Sequence, residues 1–161
     1  MSTHAGKPVI QVPAGDPPTS LIINDIVTGD GKEATPGCRP VMHYVGVACS
    51  TGREFDASWD RMETFSFTLG ASEVIGGWDQ GVAGMKVGGR RSLTIPAHLG
   101  YGDHGAGGVI KGGETLVFVV DFLKSSVFCI FLSEDLHYFH ARNPFLYKRI
   151  QIGHLSPHLF K

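Results

Sequence analysis

Residues 75–85 read Ile75-Gly76-Gly77-Trp78-Asp79-Gln80-Gly81-Val82-Ala83-Gly84-Met85, and this stretch decides the fold. Ile75, Trp78, Val82 and Met85 recur at i, i+3, i+7 and i+10, one apolar face of a short helix. Gly76, Gly77 and Gly81 lie inside it, and each costs about 1 kcal/mol relative to alanine in a helix interior. A helix weakened in this way cannot stand alone and must be held by packing. The segments on either side supply strands. Leu21–Val27 is apolar and β-branched and ends at the turn signal Gly29-Asp30-Gly31. Pro40–Cys49 alternates, with Val41, His43, Val45 and Val47 on one face and Met42, Tyr44, Gly46 and Ala48 on the other. Phe65–Leu69, Arg91–Ile95 and Thr115–Leu123 complete the set of expected strands. The reading is α+β, an antiparallel sheet wrapped on one short helix.

Composition agrees. The chain has 161 residues, of which 22 are glycine, roughly twice ordinary usage, and this disfavours a helical bundle. Fourteen basic against 15 acidic side chains leave a net charge of −1, which argues against a nucleic-acid or anionic-membrane partner. Cys38, Cys49 and Cys129 show no CxxC spacing, so neither a disulfide framework nor a zinc knuckle is indicated. The first 20 residues hold no apolar h-region, and no run approaches a membrane span. A cytoplasmic location is expected.

Three regions follow. Residues 1–19 carry four of the nine prolines without periodicity and read as a flexible leader. Residues 20–124 read as the folded domain. Residues 125–161 hold seven of the 16 aromatics, an uncharged apolar run at Val127–Leu132 and the pairs His137/His140 and His154/His158 at helical ligand spacing. With no other ligands than Glu134 and Asp135 close by, no metal site is read there. The tail is expected to add nothing to activity.

No GxSxG, GxxxxGK[ST] or HExxH motif is present, and Gly102–Gly108 reads as a surface loop rather than a phosphate loop. What stands out is a set of aromatics on separate segments: Tyr44, Phe55, Phe65, Phe67, Trp78, Tyr101 and Phe118. Each alone reads as core. Together they could converge around Trp78 into a concave apolar pocket with Asp56 and the Tyr101 hydroxyl at its rim.

The run from Val41 to Gly46, then Gly52-Arg53-Glu54-Phe55-Asp56-Ala57-Ser58, resembles the FKBP-type peptidyl-prolyl isomerase family. So do Glu73–Val82, Ala97–Gly102 and Glu114–Asp121, all in order and with the family's spacings. The resemblance implies a half-barrel sheet curled around the helix, in a compact single-domain, bacterial-like form. It implies Trp78 as a pocket floor, with Tyr44, Phe55, Phe65, Val74, Ile75, Ile110 and Phe118 as walls. It assigns the reacting edge to Asp56, Tyr101 and Phe55, with Arg61 holding Asp56 and the Ile75 N–H and Tyr101 hydroxyl donating to substrate carbonyls. The implied ligands are Xaa-Pro polypeptides and macrolides, bound by a monomer without cofactor or metal.

Two rival classes stand beside this. One is a module that binds proline segments or a macrolide without turnover. The other is a metal-binding chaperone of the same family, whose inserted flap domain has no room in the short stretch between Tyr101 and Glu114. Two features depart from the family pattern. Residues 103–113 are glycine-rich, with Ala106 at the position of a family histidine. Trp59 stands where a polar or basic residue is common, and it either widens the apolar rim or packs on the surface.

Overall fold

The computed structural model describes residues 6–126. The tail from 127 onward, with its apolar run and histidine pairs, lies outside the described residues, as do residues 1–5 of the leader. Residues 6–20 carry no regular secondary structure, and Lys7 Nζ ties their start to Glu54 at 2.9 Å and Asp60 at 2.7 Å.

Among the described residues, six strands form one antiparallel sheet around one α-helix, the α+β half-barrel expected. They are β1 (Ile22–Val27), β2 (Arg39–Ala48), β3 (Glu54–Ala57), β4 (Phe65–Ser66), β5 (Arg90–Ile95) and β6 (Leu116–Ser126), with α1 (Gly76–Val82) between β4 and β5. The strand order is β1-β5-β6-β2-β3, and β4 also pairs with β2. The central pair is β2 with β6, and its register sets Met42, Tyr44 and Gly46 opposite Phe122, Val120 and Phe118. These residues face the helix and join Leu93, Ile95, Trp78 and Val82 in one core. The other face of the same pair carries His43, Val45 and Val47 against Asp121, Val119 and Val117. Its four valines are buried too, as the near-continuous apolar alternation of β2 requires.

The helical glycines have their reason in packing. A methyl added at Gly77 would lie 2.7 Å from Ile95 Cδ1, and one added at Gly81 would lie 2.6 Å from Leu93 Cδ2. These two glycines, four residues apart, form a flat strip that lets α1 lie directly on β5. The propensity cost of glycine is offset by a closer helix–sheet contact.

Three local expectations change. The helix ends at Val82 rather than Met85, because Ala83 turns extended (ψ 135°) and Gly84 N–H bonds to Ala34 O at 2.9 Å. Met85 is still buried in the core, but from the following loop. The alternating Phe65–Leu69 forms a ladder only at Phe65–Ser66. Thr68 N–H turns instead to Glu73 Oε2 at 2.8 Å, and Leu69 pairs with the turn at Gly37 and Cys38. Finally, β3 has no strand signal in the sequence: four residues with one large apolar side chain, Phe55, follow a turn. Its pairing with β2 is what extends it.

No helix among the described residues is long and apolar enough to cross a membrane.

Candidate functional site

Trp78, on the buried side of α1, is the hub of an aromatic cluster. Its ring meets Tyr44 at 5.3 Å, Phe118 at 5.4 Å, Phe65 at 5.7 Å and Phe67 at 5.8 Å between centroids, all edge-on. Phe55 meets Phe118 edge-on at 5.5 Å. Edge-to-face packing sets the positive ring edge on a negative ring face. Four strands, the helix and, at Phe67, the segment after β4 contribute these rings. Gly46 makes the space: a methyl there would sit 2.6 Å from Phe118 Cε1 and 2.7 Å from Phe55 Cζ. Ile75 and Ile110 are buried in the same cluster, and Val74 and Tyr101 pack against it while only partly buried.

The cluster has one charged edge. Asp56 projects from β3 beside Gly46 of β2 and is buried. One carboxylate oxygen accepts from the Tyr44 hydroxyl at 2.5 Å, and the other takes the Arg61 guanidinium. Arg61 also donates to the Tyr44 hydroxyl oxygen at 2.9 Å. Tyr44 is therefore both a ring in the cluster and a member of this triangle, a role the sequence did not reveal. Burial and the adjacent Asp56 charge push its phenol far above the ordinary tyrosine value, so it stays a donor.

Tyr101 stands at the entry of the 102–113 loop. Burial, assisted by the Asp56 charge, pushes its phenol up to about 12. A folded-state value above the ordinary 10 contributes stability that is complete below pH 10 and is lost as pH rises toward 12. Alkaline denaturation of the wild type is thus expected to steepen above pH 10, and Tyr101→Phe to flatten that limb, as read by circular dichroism across a pH titration. An unchanged limb in the variant would mean that Tyr101 is as solvated as a free tyrosine.

The 102–113 loop is built by its backbone. Ala106 and Ile110 exchange hydrogen bonds at 2.9 and 3.0 Å, and Gly113 N–H closes onto Gly102 O at 2.9 Å. This small bridge aims Ile110 into the cluster and keeps Ala106 packed against it. On the other side, residues 68–73 lead into Val74 and Ile75. Asp79 accepts from Gly70 N–H at 2.9 Å and Ser72 N–H at 3.0 Å, which fastens this loop to α1. Asp79 and Glu73 escaped the sequence reading because their partners are backbone N–H groups, which carry no residue-type signal.

Trp59 does not join the aromatic cluster. It stacks on His43 with centroids 4.4 Å apart, and His43 faces away from Tyr44 on β2. Its apolar surface packs on the outer face, which settles the choice between rim and surface. Among the described residues no group of three or more His, Cys, Asp or Glu side chains is placed to hold a metal ion.

The family model for FKBP-type peptidyl-prolyl cis-trans isomerases matches residues 31–123. The chain belongs to this family. It is 61% identical over 118 residues to an FK506-binding protein of Streptomyces anulatus, covering 73% of this chain and 95% of that protein. An FK506-binding protein of Neisseria meningitidis serogroup B is 52% identical over 104 residues, covering 65% of this chain and 94% of the relative. Among solved structures, AtFKBP13 superposes with a TM-score of 0.63 at 38% identity, covering 68% of this chain and 95% of that one. This FKBP-type protein is accordingly a peptidyl-prolyl cis-trans isomerase. Every strand except β1 lies wholly or mainly within the matched span, as does α1.

Proposed function

We propose that this isomerase turns Xaa-Pro bonds of polypeptides during protein folding, and that the same pocket binds macrolides of the FK506 type. The observation that carries the reading is the ring cluster around Trp78 standing next to a buried carboxylate held by Arg61 and Tyr44. The names of the relatives support the macrolide ligand. The net charge of −1 favours neither a nucleic-acid nor an anionic-membrane partner.

Rotation about a peptide C–N bond meets a barrier of ~18–20 kcal/mol, because resonance gives it double-bond character. At the twisted transition state that resonance is lost, and the amide is less polar than the planar form. A dry aromatic wall favours the less polar state and gives differential binding. In this reading Trp78 is the floor under the proline ring, with Tyr44, Phe55, Phe65, Val74, Ile75, Ile110 and Phe118 around it. The Ile75 N–H and the Tyr101 hydroxyl hold flanking carbonyls while the bond turns. Among the described residues nothing accepts a hydrogen bond from the Tyr101 hydroxyl, which leaves it for substrate. Asp56, with Phe55 beside it, forms the polar edge at the turning amide.

The test is a protease-coupled assay of cis-to-trans conversion in short peptides with Ala, Leu, Phe or Glu before proline. The glycine-rich 102–113 loop offers few side-chain walls, so rates are expected to rise with apolar size, Leu and Phe leading. A flat series, or one led by Glu, would sink the specificity, and FK506 failing to inhibit would sink the macrolide site. Asp56→Val is expected to lower kcat/KM about tenfold, ~1.4 kcal/mol of barrier. It also leaves the buried Tyr44 hydroxyl without its acceptor, at a cost of about 1–3 kcal/mol in stability. Full activity in that variant would reduce Asp56 to a structural partner of Arg61.

A further inference from the structure

Helix α1 has seven residues, fewer than two full turns, and three of them are glycines. Such a segment has little helical stability of its own, yet it carries Trp78. Its contact with β5 is made by Gly77 and Gly81 against Ile95 and Leu93. That contact is apolar, smooth and non-directional, so it does not by itself fix where the helix sits along the strand. The C-terminal end turns at Ala83 (φ −54°, ψ 135°) and Gly84 (φ 77°), where Met85 N–H bonds to Val82 O at 3.0 Å and Gly84 N–H leaves for Ala34 O. That turn serves the Val82 carbonyl but not those of Gly81 and Ala83. Carbonyls at a helix end need donors.

Arg91 supplies them. This residue of β5 is 8% exposed, and its Nη1 donates to Gly81 O at 2.8 Å and to Ala83 O at 3.1 Å. Its other edge grips Asp25 of β1 as a fork, Nε to Oδ1 at 2.6 Å and Nη2 to Oδ2 at 3.1 Å. One planar guanidinium therefore joins the end of α1, β5 and β1. A cation at a helix C-terminus is also favourable against the helix dipole. The β1 pairing runs Asp25 opposite Arg91, so the edge strand is laid down where it can hold the fork.

We infer that Arg91, oriented by Asp25, is a positioning residue that sets the placement of Trp78 by fastening the C-terminal carbonyls of α1 to the sheet. The inference rests on the reading of Trp78 as pocket floor. Lysine cannot replace it, since an ammonium lacks the planar fork that serves two carbonyls and a carboxylate together.

The protein has two tryptophans. Trp59→Phe leaves Trp78 as the sole indole reporter, and Trp59 lies on the outer face, away from the pocket. In that background Arg91→Lys and Arg91→Met are compared with the parent by near-UV circular dichroism, tryptophan emission and steady-state kinetics on an Xaa-Pro peptide. Asp25→Asn, at a largely solvent-facing partner, is the milder variant that keeps the fold if Arg91→Met does not. The expected result is a changed Trp78 dichroism band with KM raised on the order of tenfold and kcat changed less. Asp25→Asn should move both in the same direction by a smaller amount. Folded variants with a lowered Tm but an unchanged Trp78 band would overturn the inference and leave the pocket reading standing. A shifted Trp78 band with unchanged KM would instead support the hold of Arg91 on Trp78 and overturn the pocket reading.

Discussion

Trp78→Leu is expected to raise KM for an Xaa-Pro peptide by at least about tenfold and to cost about 2–3 kcal/mol of stability in a protein that still folds. The indole makes four edge-on ring contacts, with Tyr44, Phe65, Phe67 and Phe118. Each such pair is worth about 0.5–1.5 kcal/mol beyond the area it buries. Leucine keeps an apolar side chain of intermediate volume, so the residual cavity is smaller than alanine would leave, and the loss stays below the upper range for aromatic truncations. The larger consequence is for substrate. With the indole gone, Tyr44 and Phe118 lose the surface that holds them apart, and on the proposed function the proline ring loses its flat support. Chemical denaturation and protease-coupled kinetics on the same preparation separate the two effects. An unchanged KM with the full stability loss would make Trp78 a core residue and nothing more.

Gly105→Ala is expected to reduce kcat/KM by more than tenfold, through KM, while moving the global Tm by only a few degrees. Gly105 has φ 64° and ψ −158°, a region open essentially to glycine alone. A methyl there would also run into Ile110 O and stand 2.6 Å from the Lys111 carbonyl carbon. These obstacles are backbone atoms, which cannot swing aside as a flexible side chain does. The bridge between Ala106 and Ile110 must therefore open, and Ile110 leaves the aromatic cluster. Because the loop follows β5 and precedes β6 without belonging to either, the sheet survives its rearrangement. Peptide kinetics and a thermal melt decide the matter. A variant with wild-type KM would show that Ile110 is no part of the binding wall.

How much of this was legible in the residues depends on the range of the interaction. The alternation of Val41–Ala48 assigned both faces of β2 correctly, because strand periodicity is a property of neighbours two apart. The apolar stripe Ile75, Trp78, Val82 located α1 and its buried side for the same reason. The end of that helix was misread, since Met85 continues the spacing but sits in a loop whose hydrogen bonds go to Ala34. The β3 strand left no trace in a four-residue segment, and Phe67 and Leu69 alternate without forming a ladder. In each of these cases a partner distant in sequence competes with the local pattern and wins.

The site divides in the same way. The aromatics that cluster, and the pair of Asp56 with Arg61 five residues away, could be named from the family resemblance of the motifs. That Tyr44 also anchors Asp56 depends on the β2–β3 register, which puts Gly46 across from Asp56. Likewise, Trp59 faces outward because His43, its stacking partner, alternates with Tyr44 on β2. The sequence by itself determined an antiparallel sheet held on one glycine-rich helix, and a family of motifs that implies proline isomerisation. Only the tertiary structure decided why those glycines are tolerated, which side of the sheet each aromatic takes, and that Arg91 reaches Asp25 across 66 positions to hold the helix in place. Periodicity is written along the chain and can be read there, whereas strand register and helix seating are set by close packing between segments that the chain itself leaves far apart.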